Sequence, residues 1–151
     1  MRSAFDRTMD FIYKWEGGCA DHPNDPGGRT YRGITTRRAR LSGWHDDVCK
    51  MPHNLVDKIY HEDYWQPRAA KYPWPLCLAV MNTEVNSGGG KAQQFLNETT
   101  HIEQPAARAI AVANKQKEYY HDIVRRRPKM KVFLAGWLNR SRDLENTILT
   151  G

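Results

Sequence analysis

Long apolar runs are missing from this chain: none approaches the about 20 residues needed to cross a bilayer. Its start, MRSAFDRTMDFIYKW, carries charges where a secretory signal peptide would hold an unbroken apolar stretch. Stable membrane insertion is therefore not expected, and synthesis in the cytoplasm without a signal peptide is. Cysteine is also scarce. Cys19, Cys49 and Cys77 make three, an odd number with no tight metal-type pair, so no obligatory disulfide framework is expected and at least one thiol should be free. Acid is outnumbered, with 17 Asp and Glu against 23 Lys and Arg. The resulting net charge of +6 draws polyanions to the surface, whether nucleic acid, anionic lipid or acidic envelope polymers, without choosing among them. Internal repeats, low-complexity tracts and linkers are absent as well.

What is present suits one folded unit over 1–151 with a real cleft: 151 residues, 40% hydrophobic and 11% aromatic. Ser3 and Asp6 form a capping pair, and Phe5, Met9, Ile12 and Glu16 recur at helical spacing before Gly17-Gly18, which predicts a helix over 4–16 with a carboxylate at the end of its buried face. The turn-rich HPNDPGGRTYRGIT at 22–35 predicts a small hairpin or ordered loop. Helices dominate from there. Thr35 or Thr36 can cap a short helix to Leu41, and Asn54 with Asp57 can cap another. Pro75 can open LCLAVMNTEVN, broken by Gly88-Gly89-Gly90, and Pro105 can open a long helix that Pro128 ends. Phe133, Trp137, Leu144 and Ile148 predict a last amphipathic helix packing back on the rest. The expected fold is mainly α, with a short β-hairpin after the first helix. An N-terminal catalytic lobe (about 1–85) would face a C-terminal helical lobe (about 86–151).

Hydrolysis of a glycosidic bond needs a carboxylic acid kept protonated near neutral pH and a second polar or carboxylate group opposite it. Partial desolvation at the end of an apolar stripe favours the protonated form of an acid, which makes Glu16 the candidate; Asp25, in a polar turn, can stay ionised. Gly27, Gly28 and Gly33 leave room for an extended sugar chain. In isolation, Glu-Gly-Gly reads as a solvated helix end and the glycines as turns. Here the stretch WEGGCADHPNDPGGRTYRGIT, from Trp15 to Thr35, resembles the N-terminal signature of glycoside hydrolase family 108, lysozyme-like muramidases that include phage endolysins. More loosely, it is similar to the phage lysozyme pattern of Glu, Asp, then Thr before Gly-Ile. The likeness extends through IYHEDYW (59–65), AVMNTEVNSGGGKAQQFLN (79–97) and GWLNR (136–140).

The resemblance implies a lysozyme-like fold and cleavage of the β-1,4 bond between N-acetylmuramic acid and N-acetylglucosamine. Glu16 would be the catalytic acid, Asp25 the helper, Thr30 a water-positioning residue, Tyr31 a sugar contact, and Asn86 and Ser87 lining of the far wall. Glu84 is the alternative second carboxylate. Cys19, where the family carries an aromatic, reads as a packed thiol. No cofactor or metal is expected. The implied partner is bacterial peptidoglycan, reached by a monomeric phage endolysin through a holin, so that it acts in the periplasm; a bacterial muramidase assisting secretion is the alternative setting.

Rival readings have less support. His45, Cys49 and His53 recur every four residues as a helical zinc site would, but Gly43 and Pro52 interrupt a helix there, and the H-E-x-x-H of a zinc amidase and the G-x-S-x-G of a serine hydrolase are missing. Arg37, Arg38, Arg40 and Arg125 to Arg127 invite a nucleic-acid-binding reading, yet no DNA-binding signature accompanies them, and nucleic acid is not an expected partner.

Overall fold

The hydroxyl of Ser3 accepts the backbone N–H of Asp6 at 3.0 Å and starts α1 (Ala4–Glu16) where the capping pair predicted it. Gly17 ends it at φ +72°, donating its N–H to Tyr13, a conformation that suits glycine. The computed structural model describes residues 2–21 and 28–151, so Asp25 and Gly27 of the predicted turn lie outside the described residues.

Three two-residue strands follow: β1 (Cys19–Ala20), β2 (Thr30–Tyr31) and β3 (Ile34–Thr35), antiparallel in the order β1-β2-β3. Cys19 pairs with Tyr31, and Tyr31 with Ile34. Arg32 and Gly33 join β2 to β3 with φ of 49° and 84°, the positive values at both central positions that mark a type I′ hairpin turn. Of the hairpin expected at 22–35, the described residues hold β2, its turn and β3, with β2 paired also to β1.

Thr35 then caps α2 (Thr36–Leu41), accepting the Arg38 N–H. A 3-10 turn at Val48–Lys50 leads to α3 (His53–Tyr60), which runs into a π-helical turn at His61–Trp65. Asn54 does not cap α3. The helix begins two residues earlier than that cap would start it, at His53 after Pro52, with no side-chain cap.

The centre of the molecule is α4 (Leu76–Ser87), buried on every side from Leu76 to Glu84. A helix that is apolar all round belongs in a core, and each fully buried Leu, Val or Met on it contributes about 1.5 to 3 kcal/mol. Helices α1, α5 (Gly89–Glu98) and α6 (Pro105–Arg126) pack on it, and α7 (Lys131–Thr150) packs along α6. Only Gly88, at φ +88°, separates α4 from α5; Gly89 and Gly90 are already helical. A Cβ on Gly89 would come within 2.6 Å of Arg68 Nη1, so the Arg68 guanidinium packs directly over this glycine.

Two expectations are corrected. Cys19 and Cys49 form a disulfide, fastening β1 to the 3-10 turn, so Cys19 is not a packed thiol; spacing in sequence could not show that the hairpin folds back onto residue 49. Cys77 is the free, buried thiol. Phe133, read as part of the buried stripe of α7, is 52% exposed, and the stripe is instead Arg140, Ser141, Leu144 and Ile148.

Candidate active site

Glu16 closes α1 at the point where the hairpin turn, α3 and α7 converge. Its side chain is 20% exposed. From the hairpin side, a Cβ on Gly33 would lie 3.1 Å from Glu16 Cδ and 2.7 Å from the Tyr60 hydroxyl, so the backbone approaches the carboxylate as only glycine permits. The room that Gly33 leaves is filled by Glu16 and Tyr60. Buried Tyr60, the last residue of α3, donates its hydroxyl to the Arg32 carbonyl at 2.5 Å and pins the turn. Burial, with the charge of Glu16, pushes the Tyr60 phenol far above its usual range, so it remains a neutral donor.

From the other side comes Arg140 of α7. Its Nη1 donates to Glu16 Oε1 at 3.4 Å and its Nε to Asn82 Oδ1 at 2.9 Å. The guanidinium is buried, and its Nη2 has no hydrogen-bond partner among the described residues. Asn86 donates to the same Asn82 oxygen at 3.2 Å, so a polar chain runs from Glu16 through Arg140 and Asn82 to Asn86. Ser87 accepts from Gln116, which also reaches the Tyr120 hydroxyl. Asn86 is therefore connected to Glu16 by side-chain contacts at the C-terminal end of α4, whereas Ser87 is held by Gln116 on a separate branch.

Thr30 and Tyr31 are both partly exposed on β2, but alternation along a strand sends their side chains to opposite faces, so they do not line one wall. Tyr31 packs against the core, with the Arg32 guanidinium 5.4 Å from its ring centroid. Asp25 is outside the described residues. Glu84 is 6% exposed and held by Arg68 at 2.8 Å, while its Oε2 has no partner among the described residues. Burial raises its carboxyl above the usual range against the opposing pull of Arg68. The His45, Cys49 and His53 set does not assemble, because the Cys49 sulfur is in the disulfide and His53 faces Asp57 and Arg32.

Arg140, Asn82 and Tyr60 were not singled out from sequence. A signal existed for Arg140: it is a cation on the stripe that Trp137 and Leu144 define, and Arg is almost never fully buried unless paired. A groove of about 800 Å³, lined partly by Arg7, Lys14, Trp74 and Asp143, does not include Glu16.

Comparison with known proteins supplies the rest. No curated protein matches the chain significantly. Among solved structures, SagA of Brucella abortus has a TM-score of 0.74 to this chain at 23% identity, over 97% of this chain and 94% of that one. The two share a fold, and the mainly α, lysozyme-like architecture expected from sequence is the one observed. The model of the family described as glycosyl hydrolase 108 matches residues 9–88, more than half of the chain, from the middle of α1 to Gly88. The matched segment holds Glu16, Thr30, Tyr31, Glu84, Asn86 and Ser87, while Arg140 reaches in from beyond it. This chain belongs to glycosyl hydrolase family 108 and is a peptidoglycan-directed glycoside hydrolase of the N-acetylmuramidase type.

Proposed function

We propose that Glu16 is the general acid that protonates the leaving oxygen as the β-1,4 bond between N-acetylmuramic acid and N-acetylglucosamine breaks. The observation that carries this reading is the convergence on Glu16, itself in the family-matched segment, of a glycine-only backbone approach at Gly33, a neutral Tyr60 and, from beyond that segment, the Arg140 guanidinium. Glu84 has one oxygen committed to Arg68, which favours Asp25 as the second polar group at the cleft. Thr30 is the candidate that orients water, Tyr31 the candidate that contacts sugar, and Asn86 with Ser87 line the far wall. The N-terminal lobe (about 1–85) supplies the acid and the C-terminal lobe (about 86–151) supplies Arg140.

The biological setting we propose is a monomeric phage endolysin, made in the host cytoplasm and passed through a holin to the periplasm. The Cys19–Cys49 disulfide supports action in an oxidising compartment.

The test is digestion of purified peptidoglycan by wild type and Glu16→Gln with EDTA present, the released ends being identified by mass spectrometry. Muramic acid reducing ends should appear with wild type and fall by about a hundred- to ten-thousandfold in a folded Glu16→Gln variant. Near-normal cleavage by that variant would refute the assignment.

A further inference from the structure

The turn between α6 and α7 carries a chemistry that the Glu16 site does not use and the fold uses only in part. Arg125, Arg126, Arg127, Lys129 and Lys131 are all exposed there. Asp122 pairs with Arg125 and Arg126, and no further acid occurs before Asp143. Directly beside these cations, Val132 is 80% and Phe133 52% exposed. Arg125 and Arg126 have a folding role, since cations complement the negative end of α6. Lys129 and Lys131 have no such role: they crowd the positive end of α7, which has neither a side-chain cap nor an acid in its first turn. A sequence that breaks local rules in this way, and exposes large apolar groups in the same place, does so where a site is built.

We propose that this turn, from Arg125 to Phe133, is a docking surface for an anionic phospholipid bilayer. The cations match phosphate and glycerol headgroups, each contributing to attraction near a charged leaflet. Val132 and Phe133 decide between polyanions, because a nucleic acid or a wall polymer offers them no apolar phase, whereas the headgroup–acyl boundary does. Docking is interfacial, as no helix among the described residues is long and apolar enough to span a membrane. Lys131 lies nine residues before Arg140 on one helix, about 14 Å at the usual rise, so the bound surface is a short distance from the Glu16 site.

The test is flotation of the full chain with vesicles of mixed phosphatidylglycerol and phosphatidylethanolamine, compared with pure phosphatidylcholine. Binding to the anionic vesicles alone is expected, weakening in about 0.5 M salt. Val132→Ser/Phe133→Ser and Lys129→Gln/Lys131→Gln should each lower it by about tenfold or more, whereas Arg37→Gln/Arg40→Gln, exposed on α2, should not. Peptidoglycan cleavage should be unchanged in all three, and the thermal midpoint in the two cation pairs, with only a small drop in the serine pair because Phe133 also stacks on Trp137, so failure here is separable from failure of the Glu16 assignment. The proposal is overturned if wild type does not float. It is overturned equally if the α2 pair weakens binding as much, or if the serine pair leaves it intact. Capture of duplex DNA by wild type and serine pair alike, without vesicle binding, would assign the turn to nucleic acid instead.

Discussion

Arg140 has two hydrogen-bonded partners and one unpaired nitrogen in a nearly dry place. A buried guanidinium is costly unless its hydrogens are used, and here two of its three nitrogens answer to Asn82 and Glu16. Replacing it by Met keeps the bulk and removes the donors. Arg140→Met should lose about 1.5 to 3 kcal/mol, measured by urea unfolding, because a charge-assisted contact to Glu16 and a bond to Asn82 go together. In protein that remains folded, kcat should fall more than KM rises, since Glu16 would no longer be held. An unchanged kcat would show that Arg140 serves stability alone. Glu16 was legible in sequence because its position follows from a local rule, the continuation of the Phe5, Met9, Ile12 stripe into Gly17. Arg140 was not, because its meaning depends on α7 crossing the end of α1 from 124 residues away. Gly33 lies between these cases: its need for a positive φ is local, but the neighbour it makes room for is not sugar but Tyr60 and Glu16.

Among the elements, the small sheet has the least core to hold it. Two-residue strands bring few ladder bonds, and a short sheet in isolation is marginal at best. Its order depends on three fastenings: Tyr60 on the hairpin turn, Arg29 bridging to Asp21 and Asp47, and the Cys19–Cys49 disulfide. Closing a loop with a sequence separation of 30 restricts the unfolded chain by about 3 to 4 kcal/mol on the chain-entropy account. Cys19→Ser/Cys49→Ser should lower stability toward that amount in calorimetry. A reductant should do the same to wild type and nothing to the double variant; equal thermal midpoints for oxidised wild type and double variant would contradict this. The sequence could not show this clamp, because three cysteines allow any pairing. Caps and breakers were more legible. Ser3, Thr35, Pro105 and Pro128 act where local chemistry places them, whereas α3 begins at His53 without using Asn54.

At the scale of the whole molecule, α1 and α7 are held together by charge as well as by packing, and that tie has a pH dependence of definite sign. Asp143 of α7 accepts from the Lys14 ammonium at 2.8 Å and the Trp15 indole at 2.7 Å, one residue before Glu16. Burial pushes its carboxyl up, but those two hydrogen bonds and the Lys14 charge outweigh it and hold the group below the usual carboxylate range. Asp10 beside Arg2 and Asp47 beside Arg29 are lowered in the same sense by hydrogen bonds from those arginines. A carboxyl lowered in the folded state contributes stability that is present above its unfolded value, near 4, and is lost as pH falls through the folded one. Glu84 has the opposite sign: burial raises it, so the folded protein takes up its proton first, and stability is gained as pH falls through that raised value. The thermal midpoint should therefore rise slightly on mild acidification and then drop below about pH 4 as the aspartates are protonated. Asp143→Asn keeps an acceptor for Lys14 and Trp15 but cannot titrate. It should start from a lower midpoint at pH 7 and lose less between neutrality and pH 3, whereas parallel curves for the two proteins would show that the α1–α7 tie contributes nothing to acid sensitivity.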